Sequence, residues 1–463
     1  MAMDLVLGLG LSGAAMVRWL VAHGLSVRAA DTRAAPPEKE ALIAECPGVE
    51  WRFGCVMDAA LLDGVDRVWV SPGLPTDLPC LVAARACGLS TGGELALFAE
   101  VRRARGDRAP ILAITGTNGK STTTALVSHL LTALGWDAPP LGNIGKPLLA
   151  EALERERTGR PWPQVWVVEL SSFQLEAAGT FAADAATILN VTEDHLDRHG
   201  SMAAYVRAKA RILEGAACAV LPRDDATLWQ WLGDAAQRVR TVTFGLDQPP
   251  TDEDWGVVES EGRSWLAWGD RLLVPTDRLA LLGRHNQRNV LAALALVVHL
   301  TGWDDRLAAA VTSFQGLPHR MVLVATRSDG VRFVEDSKGT NVGATVAAIT
   351  SLDAPIRLLA GGDGKGQSFV PLAEAARGRV RCAYLYGHDR TALAEAFTAA
   401  GVAVHCCESL EEATARAARD AEPGDIVLLS PACASWDQFR DYRARAACFV
   451  AAVERHLTTE QIP

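Results

Sequence analysis

Residues 111–127 read ILAITGTNGKSTTTALV. The first five residues suit a buried strand, Gly116 and Gly119 punctuate a turn, and helix-like sequence begins at Lys120. A strand that turns on glycines into a helix opening with Lys and Ser is a phosphate cradle. Its backbone N–H groups face an anion, the Lys places charge near the outer phosphates, and the hydroxyl suits Mg²⁺. The common loop keeps four residues between its first Gly and the Gly-Lys-Ser/Thr. Here only Thr117 and Asn118 separate Gly116 from Gly119. The cation and hydroxyl survive that shortening, so nucleotide binding is expected over Gly116, Thr117, Asn118, Gly119, Lys120, Ser121 and Thr122.

A metal site at such a loop needs an acid at the end of a nearby strand. QVWVVEL ends its apolar run at Glu169, which is either that acid or a solvated carboxylate at a strand terminus. LNVTEDHLDRHG carries His195 and His199 without the helical H-E-x-x-H spacing of a zinc site, and one of the two is expected to act.

Outward from this core, strands and helices alternate along the whole chain, which predicts parallel sheets covered on both faces. Three α/β units are expected: a Rossmann-like unit over 1–97, a central P-loop unit over 98–317 with a small antiparallel insertion at 241–275, and a second Rossmann-like unit over 318–463. In the first, MDLVLG turns through Gly8, Gly10 and Gly13 into a helix, and the next strand ends on Asp31. That pattern fits a dinucleotide fingerprint, a turn packing a helix on its strand, or another diphosphate over the helix N-terminus. Ser71-Pro72-Gly73 ends a neighbouring strand and is placed to line the same crevice.

The net charge of −10 argues against nucleic acid or an anionic membrane as partner. The longest apolar run, Val290 to Val298, is about half of a bilayer span. No signal peptide is read at the N-terminus, and ten Cys without C-x-x-C spacing read as buried thiols, so a cytoplasmic enzyme is expected. The chain has 39 Arg but only 6 Lys. Lys retained in motif-like segments therefore suggests chemistry that Arg cannot supply, as a compact charge or a deprotonatable amine.

GTNGKS, VVELSSFQL, LNVTEDHLDRHGS, GRHNQRNVLAA, LPHR, DSKGTN, GGDGKG and LSPACASWDQF follow one another along the chain. As an ordered set they resemble the Mur ligases of peptidoglycan synthesis, and most of all the member that adds D-glutamate. The alternatives are a folylpolyglutamate synthase or a Mur ligase for another amino acid. The resemblance implies ATP and two Mg²⁺ as cofactors, UDP-N-acetylmuramoyl-L-alanine and D-glutamate as substrates, and a monomer. The substrate carboxylate attacks ATP to give an acyl phosphate, which the amino acid's amine then opens.

By the same resemblance, Lys120 holds the outer phosphates, Ser121 and Glu169 serve one Mg²⁺, and His195 with a carbamylated Lys209 serves the second. Asn143 meets the reacting carboxylate. Asn286, Asn289, Arg320, Asp336 and Lys338 form the ATP side, with His319 beside them. Leu11, Ser12, Asp31, Thr32, Arg33, Ser71, Pro72 and Gly73 form the UDP-sugar site, displacing the dinucleotide reading. Thr340, Lys365, Ser435 and Tyr442 line the D-glutamate pocket, with Tyr where the family usually has Phe.

Overall fold

Strand and helix alternate as expected, and the strands gather into three sheets in the computed structural model, which describes residues 3–179 and 181–459. The first sheet holds β1 (Met3–Leu7), β2 (Ser26–Asp31), β3 (Glu50–Phe53), β4 (Arg67–Val70) and β5 (Ser90–Gly92), ordered β3-β2-β1-β4-β5 and parallel throughout. The register sets Leu7 between Ala30 and Val70. The segments after β1, β2 and β4 therefore leave the sheet side by side, which brings together Gly8–Gly13, Asp31–Arg33 and Ser71–Gly73.

The second sheet holds β6 (Ile111–Thr115), β7 (Pro140–Gly142), β8 (Trp166–Glu169), β9 (Ala185–Ile188), β10 (Cys218–Pro222), β11 (Arg240–Phe244), β12 (Trp255–Ser260), β13 (Arg263–Trp268) and β14 (Arg271–Pro275). Its order is β14-β13-β12-β11-β10-β9-β6-β8-β7. β6 lies between β8 and β9, with Ile114 opposite Glu169 and Thr115 opposite Ile188. The phosphate-loop sequence thus leaves the sheet at a topological switch point, where α/β sheets bind ligands. The segment expected as a small insertion extends the edge of this sheet. β12 and β13 are joined by Glu261 and Gly262 alone, both at positive φ, the geometry of a tight antiparallel hairpin.

The third sheet holds β15 (Val322–Thr326), β16 (Arg332–Glu335), β17 (Ile356–Gly361), β18 (Val380–Tyr386), β19 (Ala403–Cys406) and β20 (Ile426–Leu429). Its order is β15-β16-β20-β17-β18-β19, parallel except for β15 against β16. Alternate residues of its strands enter cores on opposite faces: Leu358, Ala360 and Leu428 on one, Leu359, Val427 and Leu429 on the other.

The chain divides into two compact units, Met1–Val258 with Ala267–Leu273 and Leu291–Ala310, and Glu259–Leu266 with Val274–Val290 and Val311–Pro463. In the first, one apolar core runs under β1–β4 and the strands around β6. Phe98, Trp162 and Trp166 pack edge-on and stacked within it, with Phe98–Trp166 centroids 4.7 Å apart. The helix Glu94–Arg105 that carries Phe98 spans residue 97, the first expected boundary. All ten cysteines are free thiols, but Cys87 and Cys406 are exposed, so the expectation of buried thiols holds only for part of the set.

The fingerprint glycines have a steric cause. A Cβ on Gly13 would sit 1.8 Å from the Gly8 carbonyl oxygen, so helix Leu11–Ala22 can approach β1 only without a side chain there. Gly13→Ala is expected to cost on the order of 3 kcal/mol through overpacking. Denaturant unfolding of the whole chain should show a lowered midpoint, and an unchanged midpoint would refute the close approach.

Candidate active site

In the first unit, β6 ends at Thr115 and the chain turns through Gly116 at φ +151 and Gly119 at φ +84 before helix Lys120–Ala133 begins. Gly119 caps that helix in the left-handed region, a conformation that residues with a Cβ adopt at a cost. Lys120 Nζ donates to the carbonyls of Gly116 (2.9 Å) and Thr117 (2.7 Å). Ser121 and Thr122 are buried at the start of the helix.

The loop is held by the segment that follows β9 and by the helix beyond it. The Asn118 N–H donates to Asn190 Oδ1 and the Asn190 amide returns a bond to the Asn118 carbonyl, both at 2.9 Å. Thr117 N–H donates to the Asn190 carbonyl at 3.0 Å. Thr117 Oγ1 meets Tyr205 Oη at 3.1 Å and takes the Thr192 N–H. Asn190, Thr192 and Tyr205 were not singled out from sequence. Tyr205 precedes Lys209 by four on helix Met202–Ala210, the spacing that puts two side chains on one face, and this was the available signal.

Lys209 is 1% exposed, and its Nζ donates to the Gly116 carbonyl at 2.8 Å and lies 4.4 Å from the Tyr205 ring centroid. Burial, and then the charge of Lys120, push its pKa well below that of a free lysine. Glu169 is buried, not solvated at its strand end. Its Oε1 accepts from Asn143 Nδ2 at 2.8 Å, while Oε2 is buried with no hydrogen-bond donor. A buried carboxylate oxygen lacking a donor is a position that a hard cation fits. Asn143 is also tied by its own N–H to the Glu169 carbonyl.

The two histidines separate in role. His199 is enclosed: Nε2 lies 3.0 Å from Ser172 Oγ, Nδ1 lies 3.1 Å from Glu176 Oε1, and the ring stacks on Phe173. Its burial lowers its pKa. His195, at φ +53, keeps its ring half exposed, edge-on to Phe173, with Nε2 3.7 Å from Asp194. His195 is thus the one available to a ligand.

The residues expected at the UDP-sugar also lie on segments that converge. Asp31 Oδ2 accepts the Leu9 N–H at 2.7 Å and Oδ1 the Arg33 N–H at 2.8 Å, and the Arg33 guanidinium pairs with it. Asp31 is therefore spent on shaping the turn after β1, and these bonds hold its pKa below the usual range despite burial. Ser71 is buried, Leu11 and Thr32 are exposed, and Pro72 and Gly73 follow at the surface of the same end.

In the second unit, Asn289 Nδ2 donates to Asn286 Oδ1 at 3.0 Å, and Asn286 to the Leu282 carbonyl at 2.7 Å. Asp336 accepts from Ser430 Oγ at 2.8 Å, and burial raises its pKa to about 7 against the pull of Arg320. His319, at φ +67, pairs with Glu335 at 2.9 Å. The loops after β16, β20 and β17 are laced together: the Ala432 N–H donates to the Gly339 carbonyl, and Asp363 and Ala434 exchange backbone bonds. This brings together the segments bearing Thr340, Ser435 and Lys365. The ring of Tyr442 faces Lys338 Nζ at 5.6 Å.

Sequence reading missed Arg445. It is fully buried and donates to Ser337 Oγ (3.0 Å), the Ser337 carbonyl (2.8 Å) and the Cys433 carbonyl (3.0 Å), joining two of those loops. An Arg in a helix segment rich in Ala was the only signal.

A glycine loop gathering two amines, that of Lys209 buried, beside an acid with an open oxygen, suits a nucleotide-dependent ligase core. Three family models match in order: the Mur ligase MurD-like N-terminal domain at 2–93, the Mur ligase middle domain at 114–297, and the Mur ligase glutamate ligase domain at 319–433. The chain is 47% identical to the UDP-N-acetylmuramoylalanine–D-glutamate ligase of Aromatoleum aromaticum, over 97% of each chain. It is 45% identical to the enzyme of that name from Nitrosospira multiformis, over 97% of this chain and 94% of the relative. In fold it is similar to MurF of Acinetobacter baumannii, with a TM-score of 0.59 at 18% identity over 85% of this chain and 87% of that one. The chain belongs to the Mur ligase family, and within it to the UDP-N-acetylmuramoylalanine–D-glutamate ligases.

Asn190→Ala removes both side-chain bonds to Asn118. At about 1 kcal/mol net, ATP affinity is expected to fall roughly five- to tenfold. Calorimetric titration with a non-hydrolysable ATP analogue checks this, with unfolding measured in parallel to exclude loss of structure.

Proposed function

We propose that the chain joins D-glutamate to UDP-N-acetylmuramoyl-L-alanine with ATP, acting as a monomer in the cytoplasm. The observation that carries the chemistry is the meeting of Lys120 and Lys209 on the Gly116 carbonyl, beside the open oxygen of Glu169. A carboxylate must approach a triphosphate here, and two anions approach only where positive charge offsets their repulsion; Lys120 is the fixed cation of the pair. The identity of the substrates rests on the near-full-length likeness to ligases of that name.

In this reading the L-alanyl carboxylate attacks the γ-phosphorus, ADP leaves, and an acyl phosphate forms. The D-glutamate amine then adds to the acyl carbon, and phosphate departs from the tetrahedral intermediate. Lys120 stays with the β/γ-phosphates, while Asn143 orients the attacking carboxylate from its bond to Glu169. Ser121 and Glu169 would hold one Mg²⁺, and His195 with Lys209 a second. Bound there, Mg²⁺ supplies charge that offsets the phosphates.

An amine that donates to the Gly116 carbonyl cannot ligate a cation as it stands. Its lowered pKa favours the neutral form, and a neutral amine reacts with CO₂ to give a carbamate, which is an oxygen ligand. On the second unit, Asn286, Asn289, Arg320, Asp336 and Lys338 serve ATP. Thr340, Lys365, Ser435 and Tyr442 serve D-glutamate.

Phosphate release from ATP and Mg²⁺ is expected to require both UDP-N-acetylmuramoyl-L-alanine and D-glutamate, with L-glutamate, lysine and diaminopimelate inactive. Release with another acceptor would move the chain to a sister ligase. Lys209→Arg, which fixes a charge there and cannot form a carbamate, is expected to lower kcat by about 100-fold or more. It should also abolish the carbamate carbon signal that labelled bicarbonate gives in the wild-type NMR spectrum. Retention of full kcat would show that Lys209 needs no modification.

A further inference from the structure

Gly364, the residue before Lys365, is gripped by two side chains. Its N–H donates to Asp389 Oδ2 at 2.6 Å, and its carbonyl accepts from Gln367 Nε2 at 2.8 Å. The other end of the Gln367 amide reaches across to a neighbouring segment. There Oε1 accepts the Val342 N–H at 3.0 Å, two residues past Thr340. Asp389 is itself tied by its N–H to the Gly362 carbonyl at 3.0 Å. All of these residues lie in the second unit.

Two local preferences are given up at this point. Asp389 is the N-cap of helix Arg390–Ala399, where an Asp carboxylate ordinarily accepts the first N–H groups of its own helix. It makes no such bond and goes to Gly364 instead. Lys365 stands at φ +53, a conformation that is costly for a residue with a Cβ. Gly364 and Gly366 flank it and would have taken that conformation freely. The Lys365 N–H is held by Asp363 Oδ1 at 2.9 Å, and its side chain is exposed.

We propose that Asp389 and Gln367 are positioning residues for the amino-acid substrate. By gripping Gly364 they hold Lys365 in place relative to Thr340, so that its ammonium meets a carboxylate of D-glutamate. The proposal rests on the reading of Lys365 as part of the D-glutamate pocket.

Backbone freedom is what the grip removes. Residues 361–366 read GGDGKG, four glycines in six, and such a segment has many conformations open to it. Without a brace, each binding event would have to order the loop at the expense of affinity. The two bonds fix both peptide planes that flank the Gly364 Cα, and the second plane carries Lys365. The bond to Asp389 is charge-assisted and the stronger of the two. A negative charge does not attract a carboxylate, so what Asp389 contributes is geometry. Asn keeps an acceptor oxygen without the charge and should serve in its place.

The test is steady-state kinetics of the full chain, with D-glutamate varied at saturating ATP and nucleotide-sugar precursor. Asp389→Ala is expected to raise the KM for D-glutamate about tenfold. Its kcat and its KM for ATP should stay within about twofold of wild type, the signature of lost substrate binding. Asp389→Asn should restore the KM to within about threefold of wild type, and Gln367→Ala should raise it about fivefold. Lys365→Ala should raise it further, and adding Asp389→Ala to Lys365→Ala should change nothing more, because Asp389 acts through Lys365. A merely structural role would add its cost in the double variant and spread over kcat and both KM values. An unchanged KM in Asp389→Ala or Gln367→Ala, beside a raised one in Lys365→Ala, overturns the brace alone. An additive double variant, or an Asn that rescues nothing, does the same. An unchanged KM in Lys365→Ala, or no D-glutamate-dependent turnover by wild type, overturns the reading of the pocket and the proposal with it. If Asp389→Ala fails to fold, Gln367→Ala decides, since its side chain is partly exposed and its KM is read in the same way.

Discussion

Two lysine side chains donate to one carbonyl oxygen, that of Gly116, and most of the first unit is arranged so that they can. The two Nζ atoms must lie within about 6 Å of each other, since each is less than 3 Å from the same atom. Were both charged, their repulsion at an effective dielectric of about 20 would be roughly 3 kcal/mol. Desolvation of Lys209 adds to this, so the pair keeps one firm cation and one amine that readily gives up its proton. The carbonyl is fixed by the turn at Gly116, and the turn by Asn190 and Tyr205. Loosening any of these would loosen the carbonyl on which the two amines meet.

The position of this constraint follows from sheet order. β6 takes β8 on one side and β9 on the other, so the loop after it meets Glu169 from one neighbour and Asn190 from the other. The same logic recurs in the other sheets. β1 lies between β2 and β4, and three polar turns emerge together. β20 lies between β16 and β17, and their three loops are sewn together by backbone bonds and by Arg445.

What was legible in the sequence was local. The short glycine loop, the acid ending β8 and the alternation of strand and helix each lie within about a dozen residues, where spacing alone carries meaning. What was not legible depends on partners far along the chain. Asn190 reaches Asn118 across 72 positions, and Arg445 reaches Ser337 across 108. His195 and His199 share a motif and a spacing. Only the packing of His199 between Ser172 and Glu176 removes it from chemistry. Only tertiary structure shows that the Asp31 carboxylate accepts from Leu9 and Arg33.

The scarcity of lysine gains a physical reason from these contacts. Arg serves most of the surface ion pairs, where a planar, permanently charged fork suits carboxylates. Lys209 could not be replaced on those terms. A guanidinium keeps its charge under burial, so the site would hold two fixed cations and no neutral amine. Lys120 must likewise remain compact enough to sit inside a loop shortened by two residues, curled back on the carbonyls of Gly116 and Thr117. The phosphate-loop site thus needs both a compact point charge and a titrating nitrogen, and Arg supplies neither.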